Sequence, residues 1–85
     1  MGIDTVDNKL YEIRHYLLKK HGWTEADNAM YALGWYIYTG RATQEFKKKL
    51  FAKKPYVIGR MLIAGGSVDE IISRIKNRIG YKEYE

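Results

Sequence analysis

The chain has no cysteine among its 85 residues, which excludes a disulfide framework and any thiolate zinc site. Serine is confined to Ser67 and Ser73, histidine to His15 and His21, and proline to Pro55. Long hydrophobic runs are missing as well. The longest uncharged stretch lies between Asp27 and Arg41 and falls well short of the roughly 20 apolar residues that a membrane span needs. The first residues lack the basic-then-apolar pattern of a signal peptide. Val6 stands where a myristoylation motif requires Ser or Thr. These absences lead to the expectation of a soluble, cytoplasmic protein.

The same scarcity bears on chemistry. Catalysis needs a nucleophile with a base, a paired acid and base, or a metal. His15 and His21 are six residues apart, an offset that puts them on different faces of a helix. Glu12 can share the face of His15, but two ligands do not make a metal site. Gly65-Gly66-Ser67 before a helix resembles an anion-binding turn, yet Asp69 and Glu70 occupy that turn and repel phosphate. No nucleotide-binding fingerprint is present. We therefore expect no catalytic residues, no metal and no cofactor, and a protein that is not an enzyme.

What is present suffices for a small core. Hydrophobic residues make up 46% and aromatic residues 14%, too many for a disordered segment. A chain of this length buries about 60–65% of its unfolded surface, so it forms one domain with a modest stability margin. Ile3, Val6, Leu10, Ile13 and Leu17 recur every three or four residues, the spacing of one helical stripe. Asp4 or Thr5 can cap this helix and Gly22 can close it. The pattern is too short for a coiled coil, and a dimer seam through this first helix is the alternative to intramolecular packing.

Thr24, followed by Glu25 and Asp27, reads as a second helix start. Here Ala26, Met30, Leu33 and Ile37 form one stripe, while Tyr31, Trp35 and Tyr38 form another nearly opposite. A helix apolar all round is expected to be buried on both sides; alternatively, the aromatic stripe is an exposed contact surface. Thr43 can cap a third helix that turns Phe46, Leu50 and Phe51 inward. On its wheel Lys48 and Lys49 point outward, and Lys47 and Lys54 lie beside the apolar sector. Pro55 ends that helix and suits the first turn of a fourth. Residues 56–64 begin with β-branched residues and are open to a strand reading, but a buried helix with Val57, Ile58, Met61 and Leu62 inward is favoured, ended by Gly65-Gly66. Ser67-Val68-Asp69-Glu70 is a capping box, followed by the stripe Val68, Ile71, Ile72, Ile75 and Ile79. The predicted fold is all-α: a compact bundle of four to five short helices at about 4–20, 25–39, 43–53, 55–64 and 68–79. The second and fourth helices are expected to be the most buried. The domain is predicted to span 1–80, with residues 81–85 as a flexible tail.

Charge is the one functional signal. Residues 41–60 hold Arg41, Lys47, Lys48, Lys49, Lys53, Lys54 and Arg60 against Glu45 alone, a net of +6 in a chain of net +5. Arg74, Lys76 and Arg78 at the end of the last helix can extend that patch in space. An unopposed basic surface attracts polyanions. The run from Pro55 to Ile79 has the length of a helix-turn-helix, but its last helix would present Asp69 and Glu70 to the DNA. We therefore expect contact with the nucleic-acid backbone without sequence preference. The rival is a protein-interaction module that meets an acidic partner through the basic patch and the Tyr31/Trp35/Tyr38 stripe. By analogy of size and composition alone, such a chain matches the small inhibitors and assembly or accessory factors of viruses and mobile elements.

Overall fold

The computed structural model describes residues 5–82. Five helices account for most of them: α1 (Thr5–His21), α2 (Trp23–Tyr38), α3 (Gln44–Phe51), α4 (Pro55–Ile63) and α5 (Val68–Ile79). Ile3 and the Asp4 cap lie outside the described residues. Residues 56–64, where a strand was the alternative, are helical through Ile63. The radius of gyration is 12.1 Å, about what a folded chain of this length has, so the helices share one body.

Leu10, Ile13 and Leu17 are buried on the inner stripe of α1, and Val6 packs at its edge. α1 and α2 meet at a single residue. The Gly22 amide bonds to the Leu18 carbonyl oxygen (3.1 Å), and the Gly22 carbonyl accepts from Ala26 (3.1 Å). With φ at 94°, Gly22 reverses the chain by itself. α2 thus starts at Trp23, ahead of the expected Thr24 cap, because Gly22 already occupies the capping position.

On α2, Ala26, Ala29, Ala32, Leu33, Tyr36 and Ile37 are buried, and Met30 is half-buried. The expectation of burial on both sides fails, since Tyr31 and Tyr38 are exposed. Three alanines on the inner face let α1, α4 and α5 draw in on that side.

α3 is capped by Thr43, whose hydroxyl accepts from the Phe46 amide at 3.0 Å. Phe46 and Leu50 are fully buried, and Phe51 is half-buried. The helix stops at Phe51, two residues before the expected end at Lys53. Lys54 is held extended (φ −71°, ψ 150°) ahead of Pro55.

α4 lies against α1 most closely at Gly59. A Cβ there would sit 2.7 Å from Cδ2 of Tyr16 and 3.4 Å from Cδ2 of Leu17, so glycine is what permits the approach. Ile58 and Leu62 fill the core on either side of it; Val57 and Met61, expected inward, are half-buried. α5 crosses α2, α3 and α4. Its capping box is formed in full: the Glu70 amide donates to Ser67 Oγ (3.1 Å) and the Ser67 amide to Glu70 Oε1 (2.8 Å).

α5 ends at Gly80 (φ 75°), and the Tyr81 amide reaches back to the Lys76 carbonyl at 2.9 Å. That turn aims Tyr81 at the core. Its ring packs edge-on against Phe46 (centroids 5.5 Å apart), and its hydroxyl lies 3.0 Å from Thr43 Oγ1. Tyr81 therefore packs against the body, contrary to the expected tail, because a half-buried ring on Phe46 outweighs the local lack of periodicity. Residues 83–85 of that segment lie outside the described residues. Among the described residues no charged side chain is buried, and Tyr36 is the one titratable side chain in the core.

Candidate nucleic-acid interface

The bases singled out in the sequence fall into three groups. The first follows α3. Lys48, Lys53 and Lys54 are exposed, while Lys47 and Lys49 are half-buried. Lys47 behaves as its wheel position predicts. Lys49, expected outward, is partly covered. Lys54, expected beside the apolar sector, is fully out because α3 ends before reaching it. Lys48 and Lys49 border a shallow depression of about 620 Å³ that Glu45 also lines, so the acid tempers that spot. Lys53 and Lys54 lie outside this depression.

The second group lies between α4 and α5. Arg60, Arg74 and Arg78 line an open groove of about 520 Å³ together with Tyr56. Residues four apart on a helix share a face, so Tyr56 stands one turn before Arg60 on α4, and Arg74 one turn before Arg78 on α5. Among the described residues no carboxylate lines this groove. Arg74 is fixed, donating from Nη1 to the Met61 carbonyl and from Nη2 to the Gly65 carbonyl, both at 2.9 Å. These two bonds satisfy carbonyls at the C-terminal end of α4 and place a positive charge where the helix dipole favours one.

The third group is engaged with aromatic faces. The Arg41 guanidinium lies 4.6 Å over the Trp35 ring and donates to Thr39 Oγ1 at 3.2 Å. The Lys76 ammonium lies 5.2 Å from the Tyr36 centroid, on the flank of α5 away from Arg74 and Arg78. Lys76 therefore does not join the other two, because two residues of helix turn it about 200° from each. Among the described residues, none of the bases from Arg41 to Arg60 is ion-paired.

The aromatic stripe is also rearranged. Trp35 is half-buried beneath Arg41 and leaves the stripe. Tyr31 and Tyr38 remain, joined by Tyr11 and Trp23 along the outer seam of α1 and α2, each 64–66% exposed. The Tyr38 hydroxyl donates to Asp7 at one end of this seam. At the other, Arg14 pairs with Asp27 (3.0 Å) and lies 4.8 Å over Trp23. The bond to Asp7, with partial burial and the nearby carboxylate charge, holds the Tyr38 phenol above the usual tyrosine pKa. The seam's charges are thus paired locally.

Comparison with family models, curated proteins and solved structures finds no match. Function rests on the geometry.

Among the described residues no group of three His, Cys, Asp or Glu side chains is placed to hold a metal, and no helix is long and apolar enough to cross a membrane. Sequence reasoning missed Tyr56, Tyr11 and Trp23. Tyr56 was legible as the residue four before Arg60. Tyr11 and Trp23 lie on different helices, and the packing of α1 on α2 through Asp7–Tyr38 and Arg14–Asp27 sets both along one seam.

Proposed function

We propose that this chain is a non-enzymatic, cytoplasmic protein that binds the nucleic-acid backbone without sequence preference. One observation carries the proposal: seven bases against one acid between residues 41 and 60, none of them ion-paired among the described residues. Phosphates neutralise such a surface and release counterions, which makes binding strong at low salt and weak at high salt. The acids at the start of α5 oppose a recognition helix there, so base-edge readout is not part of the function. No cofactor and no membrane are involved.

The test is fluorescence anisotropy with labelled DNA and RNA at about 50 mM salt and upward. Replacing Lys48, Lys53 and Lys54 by Glu changes only exposed positions, and circular dichroism checks that the variant folds. Binding should be lost, and its salt dependence in the parent should correspond to several phosphate contacts. A folded parent that binds neither DNA nor RNA at low salt refutes the proposal.

A second reading is favoured by the α1–α2 seam. Four exposed aromatic rings on one face form the kind of surface that docks a protein partner, or a second copy of the chain through α1. An acidic protein that also meets the lysines fits this reading. Trp23→Ala together with Tyr31→Ala should then abolish association in a pull-down with nuclease treatment, and leave nucleic-acid binding intact.

A further inference from the structure

We infer that the α4–α5 groove is a binding site for single-stranded nucleic acid, with Tyr56 as a stacking platform and Arg60 and Arg78 as phosphate contacts. The inference rests on the nucleic-acid reading above and assigns it a substrate class.

Three features of the groove converge. Tyr56 is 45% exposed, which leaves part of its ring open at the groove edge. Arg60 and Arg78 are exposed on opposite walls, and no hydrogen bond, ion pair or ring contact engages either among the described residues. Among the described residues no carboxylate lines the groove, in contrast to the α3 depression with its Glu45. Arg74 completes the site as a fixed charge, its guanidinium tied to two backbone carbonyls and so already ordered before a ligand arrives.

An aromatic ring beside unpaired guanidiniums is the combination that single strands require. Their bases are open to stack on a side chain while the backbone tracks the positive charges. In a duplex the base faces are sealed in the stack, so a side chain has no face to stack on and meets phosphates and base edges instead. The groove is also continuous in sequence with Lys53 and Lys54, which stand just before Pro55 and Tyr56. A strand leaving the Tyr56 end meets further positive charge there. An acidic peptide satisfies the arginines but leaves Tyr56 without a stacking partner, so the ring favours nucleic acid.

The test compares a labelled 20-nucleotide oligothymidine, a duplex of the same length and a poly-glutamate peptide, using the full chain at low salt. Tyr56→Leu should weaken oligothymidine binding about tenfold and change duplex binding by less than about twofold. Tyr56→Phe should retain the parent affinity, since the ring remains. Arg78→Gln, outside the lysine run, should weaken oligothymidine binding by at least about threefold. The inference is overturned if Tyr56→Leu leaves oligothymidine binding unchanged or weakens both nucleic acids equally. It is also overturned if poly-glutamate binds as tightly as the oligonucleotide. Should duplex binding persist and depend on the lysines while Tyr56 has no effect, only this inference falls. Should no nucleic acid bind, the broader reading falls with it.

Discussion

Replacing Gly59 by alanine should destabilise the protein, although alanine is the better helix former. In an exposed helix interior, Gly→Ala gains about 1 kcal/mol. Gly34 in α2 is half-buried, but no atom lies within 4 Å of a built Cβ, so Gly34→Ala meets no clash and should stabilise by about 1 kcal/mol. At Gly59 the same methyl would stand 2.7 Å and 3.0 Å from two carbons of the Tyr16 ring. Carbon atoms prefer about 3.5–4.0 Å, so the ring or the α1–α4 spacing must give by nearly 1 Å. Overpacking of this kind costs about 1–3 kcal/mol. The net for Gly59→Ala is a loss of about 1 kcal/mol, and the two glycine sites should differ by about 2 kcal/mol. For a domain of this size that separates the variants' melting temperatures by about 8–16 °C. Thermal and urea unfolding followed by circular dichroism measure the difference. In a Tyr16→Ala background the penalty at position 59 should shrink, because the clashing ring is gone. If Gly59→Ala stabilises as much as Gly34→Ala, the close approach of α1 and α4 is wrong.

Three further outcomes can be measured on the same footing. Ser67→Ala removes one half of the α5 capping box and should cost about 1 kcal/mol in urea unfolding; no loss would mean the cap is dispensable. Tyr81→Ala should cost about 1–2 kcal/mol, since it removes a ring packed on Phe46 and a hydroxyl bonded to Thr43, whereas a loose tail would cost nothing. The Tyr38 phenol is raised in the folded state, chiefly by its hydrogen bond to Asp7. Its contribution to stability is therefore fully present below the ordinary tyrosine pKa of about 10 and is lost as pH rises through the folded value. Ultraviolet titration should show that Tyr38→Phe removes an ionisation lying above the ordinary range, and loss of an ordinary step instead would contradict the Asp7 bond.

Local signals were readable residue by residue. Ser67 and Glu70, Thr43 and Gly80 each act within one helical turn and form their caps, and Pro55 opens α4, as spacing alone predicts. The start of α2 was misread because the Thr24-Glu25 signal is equally local, and Gly22 overrode it by joining two helices directly. Tyr81 was read as tail because its partner, Phe46, lies far off in sequence and reaches it only through packing. The basic cluster shows the same division. Its charge excess is a property of composition, but Arg41 and Lys76 are drawn onto aromatic faces that other parts of the chain supply.

The sequence by itself determined an all-α chain of four to five helices, the absence of thiol chemistry and the basic character of residues 41–60, since helical periodicity, capping and net charge are set by near neighbours along the chain; that residues 56–64 are helix was decided by the fold. Only the tertiary structure decided which charges stand together. It set Arg60 and Arg78 across one groove with Tyr56, and it assembled Tyr11, Trp23, Tyr31 and Tyr38 on one seam. The physical reason is that a helix fixes the direction of its own side chains, whereas the partner each one meets depends on how helices distant in sequence pack.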